Sequence, residues 1–436
     1  MQFVTTRGGA PASFKTALLE GLAPDGGLYV PETVEQWTRD ELSRLPRRTL
    51  TEIGLRALRP FTRGELDPAT LEAVVVEALN FEIPLVEIEP GIFALELFHG
   101  PTLAFKDVGA RVMARLMAAI HDADEPLTVL VATSGDTGGA VANAFHGVPH
   151  TRVVILYPDG RVSPTQEAQL TMFNGARANV RAYAVTGSFD DCHRLARQIF
   201  GDREIRRRVP LTSANSVNLG RLLPQSIYYF HGVAQLGARG HDVHAAGVDF
   251  CVPSGNFGNL TAGLFAKRAG LPIRRFVAAT NANDVVPEFL DTGKFAPRAS
   301  VRTLANAMDV GHPSNFERIS WLYGSDLDAI RRDIAGARAS DDQIRETIHD
   351  VYARTGHLLD PHSAVGYRGI KSRDTSVERP GILLATAHPA KFSEVVEPII
   401  GRTVEKPLPL QHVIARPRHI VRIRADIRAV EEILVQ

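Results

Sequence analysis

Between positions 106 and 120, Val108, Val112, Met113, Leu116, Met117 and Ile120 recur at helical spacing on one face. Leu71, Val74, Val75 and Leu79 do the same between 67 and 79. Asp67-Pro68 supplies a capping side chain and a proline suited to the first helical position. Another amphipathic stretch, from about Glu41 to Leu58, predicts a further helix. Short apolar or β-branched runs at 92–97, 127–132, 153–157, 180–185, 248–252, 275–279 and 381–385 predict strands. Several are apolar without interruption, as expected for strands buried on both faces of a parallel sheet. Residues 1–85 therefore read as a small, mostly helical N-terminal unit, with Glu82-Ile83-Pro84-Leu85 as its exit. Strand–helix alternation over 86–436 predicts an α/β core with a mainly parallel sheet. In such a sheet the chemistry belongs in the loops at the carboxyl ends of strands.

Composition narrows the function classes. The chain has 436 residues, 44% hydrophobic and 22% charged, enough for several domains' worth of core. Lys plus Arg number 49 and so do Asp plus Glu. That balance gives no overall footprint for nucleic acid or an anionic membrane. The C-terminal cluster Arg416, Arg418, Arg422, Arg424 and Arg428 has no interleaved aromatics and reads as a solvated face. With only Cys192 and Cys251, a disulfide framework or Cys-rich metal site is not expected. His241 and His244 sit in a polar loop, so no metal is expected there. No apolar leader opens the sequence and no run reaches ~18 apolar residues. A cytoplasmic protein is expected.

Three strand-to-helix junctions carry candidate chemistry. In His99-Gly100-Pro101-Thr102-Leu103-Ala104-Phe105-Lys106-Asp107, one Lys opens a helix in apolar surroundings. Desolvation and the positive end of the helix both disfavour an ammonium and leave a nucleophilic amine. A snorkelling surface Lys would look similar at this level. In Thr133-Ser134-Gly135-Asp136-Thr137-Gly138, a small-residue loop enters a helix, and its free N–H groups and hydroxyls form either an anion site or a capped turn. Neither a dinucleotide nor a Walker motif fits it. In Ser254-Gly255-Asn256-Phe257-Gly258-Asn259, two glycines let the backbone approach an anion closely. Two anion cradles and one desolvated amine suggest a phosphorylated cofactor and an anionic substrate.

These junctions resemble those of the threonine synthase family of pyridoxal-phosphate enzymes, whose fold is tryptophan-synthase-β-like. The resemblance extends in the family's order through Asp25-Gly26-Gly27-Leu28-Tyr29, Ser213-Ala214-Asn215-Ser216-Val217-Asn218 and Asn306-Ala307-Met308-Asp309-Val310. It continues through Asp360-Pro361-His362-Ser363-Ala364 and Ala385-Thr386-Ala387-His388-Pro389-Ala390-Lys391-Phe392. It implies fold type II: two three-layer α/β lobes with predominantly parallel sheets, plus the helical N-terminal domain. A mobile small lobe would span approximately 100–220.

The resemblance also implies roles. Lys106 would be the Schiff-base lysine for pyridoxal 5'-phosphate. Gly255, Asn256, Phe257, Gly258 and Asn259 would hold the cofactor phosphate, and Thr386 would meet the pyridine nitrogen. Ser134, Asp136, Thr137, Ser213, Asn215, Asn218 and Arg221 would face the substrate. Some relatives carry Asp where Asn259 stands. The implied reaction converts O-phospho-L-homoserine and water to L-threonine and phosphate by γ-elimination and β-hydration, the last step of threonine biosynthesis. The helix-start loops, Lys391 and Arg221 are all candidate donors to the leaving phosphate. A lyase that stops after elimination, releasing an α-keto acid and ammonia, would share these motifs. A monomer or homodimer without nucleic-acid or membrane partners is expected.

Overall fold

The computed structural model describes residues 1–121, 125–175 and 178–435. Two sheets organise them. The larger has the order Ile334–Arg338, Ile273–Thr280, Val248–Pro253, Gly381–Ala385, Ile92–Glu96 and Leu85–Glu89. All neighbours are parallel except the last pair. The smaller has the order Val421–Arg424, Val180–Thr186, Thr151–Pro158, Leu127–Ala132 and Leu211–Ser213, parallel throughout. Every residue of Leu127–Ala132 and of Val248–Pro253 is buried. Burial of every position, Thr128 and Asp249 included, is what a strand covered on both faces shows.

The strand pattern places seven strands within about two residues of their observed bounds, and the helix Lys106–Ile120 as expected. The predicted helix between Glu41 and Leu58 is instead two. Arg39–Ser43 and Leu50–Thr62 are separated by a tight turn at Leu45–Arg47 containing Pro46. Proline lacks the N–H that a continuous helix would need, and Thr49 restarts the chain with a capping box to Glu52. Beyond the helices, the first 31 residues add a two-stranded ribbon, Phe3–Thr5 against Tyr29–Pro31. The presumed exit segment leads into an edge strand, Leu85–Glu89, folded back on Ile92–Glu96.

One hydrophobic cluster runs from the N-terminal unit (Phe3, Leu58) through both sheets (Val131, Phe250). Tyr229, Phe250 and Phe276 lie at its centre, with the Tyr229 and Phe250 rings 5.0 Å apart. The small sheet also takes in the C-terminal strand Val421–Arg424, and helix Ile427–Val435 seals its outer face with Val430, Ile433 and Leu434. Arg422 in that strand pairs with Asp159 at 3.0 Å. Among the described residues, no helix is long and apolar enough to cross a membrane.

Candidate active site

The turn before Lys106 is built around a buried carboxylate. Asp107 accepts from the Thr102 N–H at 2.9 Å and the Thr102 hydroxyl at 2.6 Å. Gly100 is required because a Cβ there would fall 2.5 Å from Asp107 Oδ2. The turn is then stitched to the end of strand Gly381–Ala385. The Phe105 N–H donates to Thr386 O at 2.9 Å, and the His388 N–H donates to Leu103 O at 3.1 Å. Lys106 is left at the first position of its helix with 14% of its side chain exposed. Burial lowers its pKa to about 8; Asp136 opposes that shift, while Lys391 and Arg221 reinforce it.

Asp136 sits beneath this amine in the second loop. Its Oδ2 is 4.0 Å from Lys106 Nζ, while its Oδ1 lies 2.8 Å from Nζ of the wholly buried Lys391. Gln166 also donates to Oδ1 at 3.1 Å. Burial pushes the Asp136 carboxyl up, but Lys391 and Lys106 outweigh this and hold it below the usual carboxylate range. The loop above is fixed by Thr133, whose hydroxyl accepts from the N–H groups of Gly135 at 3.0 Å and Gly138 at 2.9 Å.

The third loop opens helix Gly258–Arg268 after strand Val248–Pro253. Phe257 adopts a left-handed conformation at φ 60°, which turns the chain sharply into the helix. Gly255 is pressed against another loop: a Cβ would lie 2.9 Å from Ala307 O and from Met308 Cα. Asn259 accepts from the Tyr228 hydroxyl at 2.6 Å and from that of Tyr229 at 2.8 Å. Its buried side-chain amide has no partner among the described residues.

These loops enclose a cavity of about 280 Å³ between the two sheets. Lys106, Ser134, Thr137, Asn215, Arg221, Gly255, Asn256, Phe257, Gly258, Asn259 and Thr386 all line it. Arg221 is 3% exposed and donates to Ala214 O at 2.7 Å; burial lowers its pKa to about 10, so the cation persists at neutral pH. Asn215 is held by its donation to Ala132 O at 2.8 Å. Three of the named residues stay off the wall. Asp136 lies beneath Lys106, as described. Ser213 accepts from the Asn215 N–H at 3.2 Å. Asn218 is wholly buried; it donates to Leu18 O at 2.8 Å and accepts from the Gly220 N–H at 2.8 Å. Lys391 is likewise no wall residue: besides Asp136 it donates to Thr102 O at 2.9 Å.

Other wall residues escaped the sequence reading. Phe189, Asp190, His193 and Arg197 enter from helix Phe189–Gly201. Their signal was Ser188, a capping box partner of Asp191 just beyond the strand Val180–Thr186. His193 and Arg197 also border an outer cleft of about 1320 Å³, into which the cavity opens. His362, inside the matched 360–364 motif, also lines the cavity; its Nδ1 lies 2.5 Å from Asp360 and its Nε2 accepts from the Ala307 N–H at 3.2 Å.

Pyridoxal phosphate fits this donor set. A desolvated amine, a helix N-terminus reached through a glycine loop, an unpartnered Asn259 amide and a neutral Thr386 hydroxyl converge on one cavity. Comparison with known proteins agrees. Family profiles described as pyridoxal-phosphate dependent enzyme, threonine synthase N terminus and threonine synthase C-terminal match residues 76–385, 2–79 and 363–434. The chain is 47% identical over 401 residues to threonine synthase from Haemophilus influenzae, covering 91% of this chain and 90% of that one. The crystal structure of threonine synthase from Escherichia coli superposes with a TM-score of 0.92 at 39% identity, covering 99% of both chains. The PLP-bound threonine synthase from Brucella melitensis gives a TM-score of 0.92 at 38% identity over 100% of this chain and 99% of that one. Built on the fold type II architecture, with a small N-terminal domain and pyridoxal phosphate as cofactor, the chain belongs to the threonine synthase family.

Proposed function

We propose that this enzyme converts O-phospho-L-homoserine and water to L-threonine and phosphate, and that the cavity at Lys106 is where it does so. The observation that carries the site assignment is the convergence of Lys106, the 255–259 loop and buried Arg221 on one cavity. Pyridoxal phosphate, when bound, supplies an electron sink for the carbanions that elimination and hydration require.

The chain's own residues set the proton and charge traffic. The Lys106 amine, titrating near 8, is partly unprotonated at neutral pH and can take a proton from the substrate's α carbon. Asp136 would ordinarily hold that lysine as an ammonium. Lys391, closer by 1.2 Å, occupies the carboxylate first (2.8 against 4.0 Å) and leaves the amine available. Thr386 offers a hydroxyl rather than a carboxylate to the pyridine nitrogen, which moderates the sink. The N–H groups of Gly255, Asn256, Phe257, Gly258 and Asn259 receive the cofactor phosphate at the helix start. Ser134, Thr137 and Asn215 offer hydroxyl and amide groups to the amino-acid end of the substrate, and Arg221 is the buried cation for its phosphate. Asp136 and Asn218 serve from behind the wall, while Ser213 borders the outer cleft and fixes Asn215 by accepting its N–H.

Residues 1–85 are assigned here to the N-terminal domain and 86–436 to the catalytic core. Within the core, a small lobe of approximately 100–220 closes over substrate and excludes water until hydration. Two buried, unpaired cysteines are consistent with work in the reducing cytoplasm. The test is a single incubation of cofactor-loaded protein with O-phosphohomoserine, with phosphate, threonine and α-ketobutyrate measured together. Equal phosphate and threonine with little keto acid is the expected result. Keto acid in step with phosphate would replace the synthase with a lyase.

A further inference from the structure

Arg318 is wholly buried, yet among the described residues no carboxylate pairs with it. Its neighbour Glu317 bonds Arg7 and Thr6 instead. All of its hydrogen bonds go to neutral acceptors. Nε donates to Tyr29 O at 3.0 Å, Nη1 to Ser216 O at 3.0 Å and Asn315 Oδ1 at 2.7 Å, and Nη2 to Val217 O at 2.6 Å. A guanidinium buried with no carboxylate in contact, and only Glu317 acting on it from a distance, is an unfavourable arrangement for the fold alone.

What it holds lies directly against the proposed phosphate loop. Asn315 Nδ2 donates to Ser216 Oγ at 3.1 Å, and Asn256 Nδ2 donates to the same oxygen at 2.7 Å. Asn256 is gripped twice more: its Oδ1 accepts from the Ser314 N–H at 2.6 Å, and its carbonyl accepts from the Asn315 N–H at 3.3 Å. Ser216 also sits under Gly258, where a Cβ would lie 3.0 Å from the Ser216 Cβ. A continuous chain of bonds therefore runs from the N-terminal ribbon at Tyr29, through Arg318 and Asn315, to Ser216 and Asn256.

We propose that Arg318 is a positioning residue that locks the 255–259 loop in its phosphate-receiving shape and couples that loop to the N-terminal domain. The inference rests on the reading of 255–259 as the cofactor-phosphate loop. It assigns the N-terminal ribbon a part in cofactor affinity, although Tyr29 does not line the cavity. A group that acts this way governs recognition of the phosphate and leaves capture of the aldehyde by Lys106 unaffected.

The test compares apoprotein affinity for pyridoxal phosphate with that for pyridoxal, which lacks the phosphate, by absorbance titration. Wild type should prefer pyridoxal phosphate strongly; equal affinities would overturn the loop reading itself, and the Arg318 role with it. Arg318→Gln should weaken pyridoxal phosphate by about tenfold or more, as loss of a supporting partner does elsewhere, and leave pyridoxal within about twofold. Arg318→Lys should recover part of the loss. Should Arg318→Gln fail to fold, Asn315→Ala severs the same chain of bonds one residue further on and should show the same selective loss. Equal weakening toward both compounds, or none toward either, would overturn the proposal.

Discussion

Three charged side chains, Lys106, Asp136 and Lys391, set the chemistry of the site by their spacing. If Lys391 claims Asp136, its removal should hand that carboxylate to Lys106. In Lys391→Met a repelling cation disappears and an attracting anion is freed, and both changes favour the ammonium form of Lys106. The titration midpoint near 8 should therefore rise, by about one unit or more. At a fixed neutral pH, the rate of pyridoxal-phosphate capture should then fall about tenfold per unit. A stopped-flow pH profile of capture checks this; an unmoved midpoint would mean that Lys391 has no part in setting the amine. Removing one partner of a buried pair also destabilises the fold, by about 3–5 kcal/mol where nothing replaces it. Lys106 lies near enough to replace it in part, so denaturant unfolding should show a smaller loss.

At the scale of single elements, the loop 254–257 and the helix behind it depend on close approach of backbone to backbone. In Gly255→Ala the new methyl would meet Ala307 O and Met308 Cα, neither of which belongs to a flexible side chain. We expect an affinity for pyridoxal phosphate at least about tenfold weaker with the far-UV circular dichroism unchanged. Undiminished affinity would show that the 306–308 loop yields. The sequence carried these loops because each follows a largely apolar strand and leads through small or turn-forming residues into a helix. What it did not carry is equally specific. Leu211–Ser213, Ile334–Arg338 and Val421–Arg424 are short or edge strands; two of them are rich in small residues or arginine, so no apolar run marks them. Asn218 read as a substrate residue because a polar side chain in a matched motif looks the same whether it faces a ligand or a carbonyl. Arg318 was invisible, since its partners come from positions 29, 216, 217 and 315 and only folding unites them.

Across the whole molecule, the cavity takes walls from both sheets, so a ligand in it ties the lobes together. With pyridoxal phosphate at about 100 times its Kd, unfolding should become about 2.7 kcal/mol harder. Urea unfolding with and without the cofactor measures this. Lys106→Ala should lose most of the gain along with turnover, whereas full retention would place the cofactor elsewhere. Hydrogen exchange should slow in both 134–138 and 254–258 on loading, because the two loops face one cavity from different lobes. Protection confined to one loop would contradict a site shared by the lobes. The account turns on which of two buried lysines carries the cofactor. Borohydride reduction of the loaded protein, followed by digestion and mass spectrometry, decides this most directly. The pyridoxyl label should be found on Lys106; a label on Lys391, or none on either, would contradict the central claim.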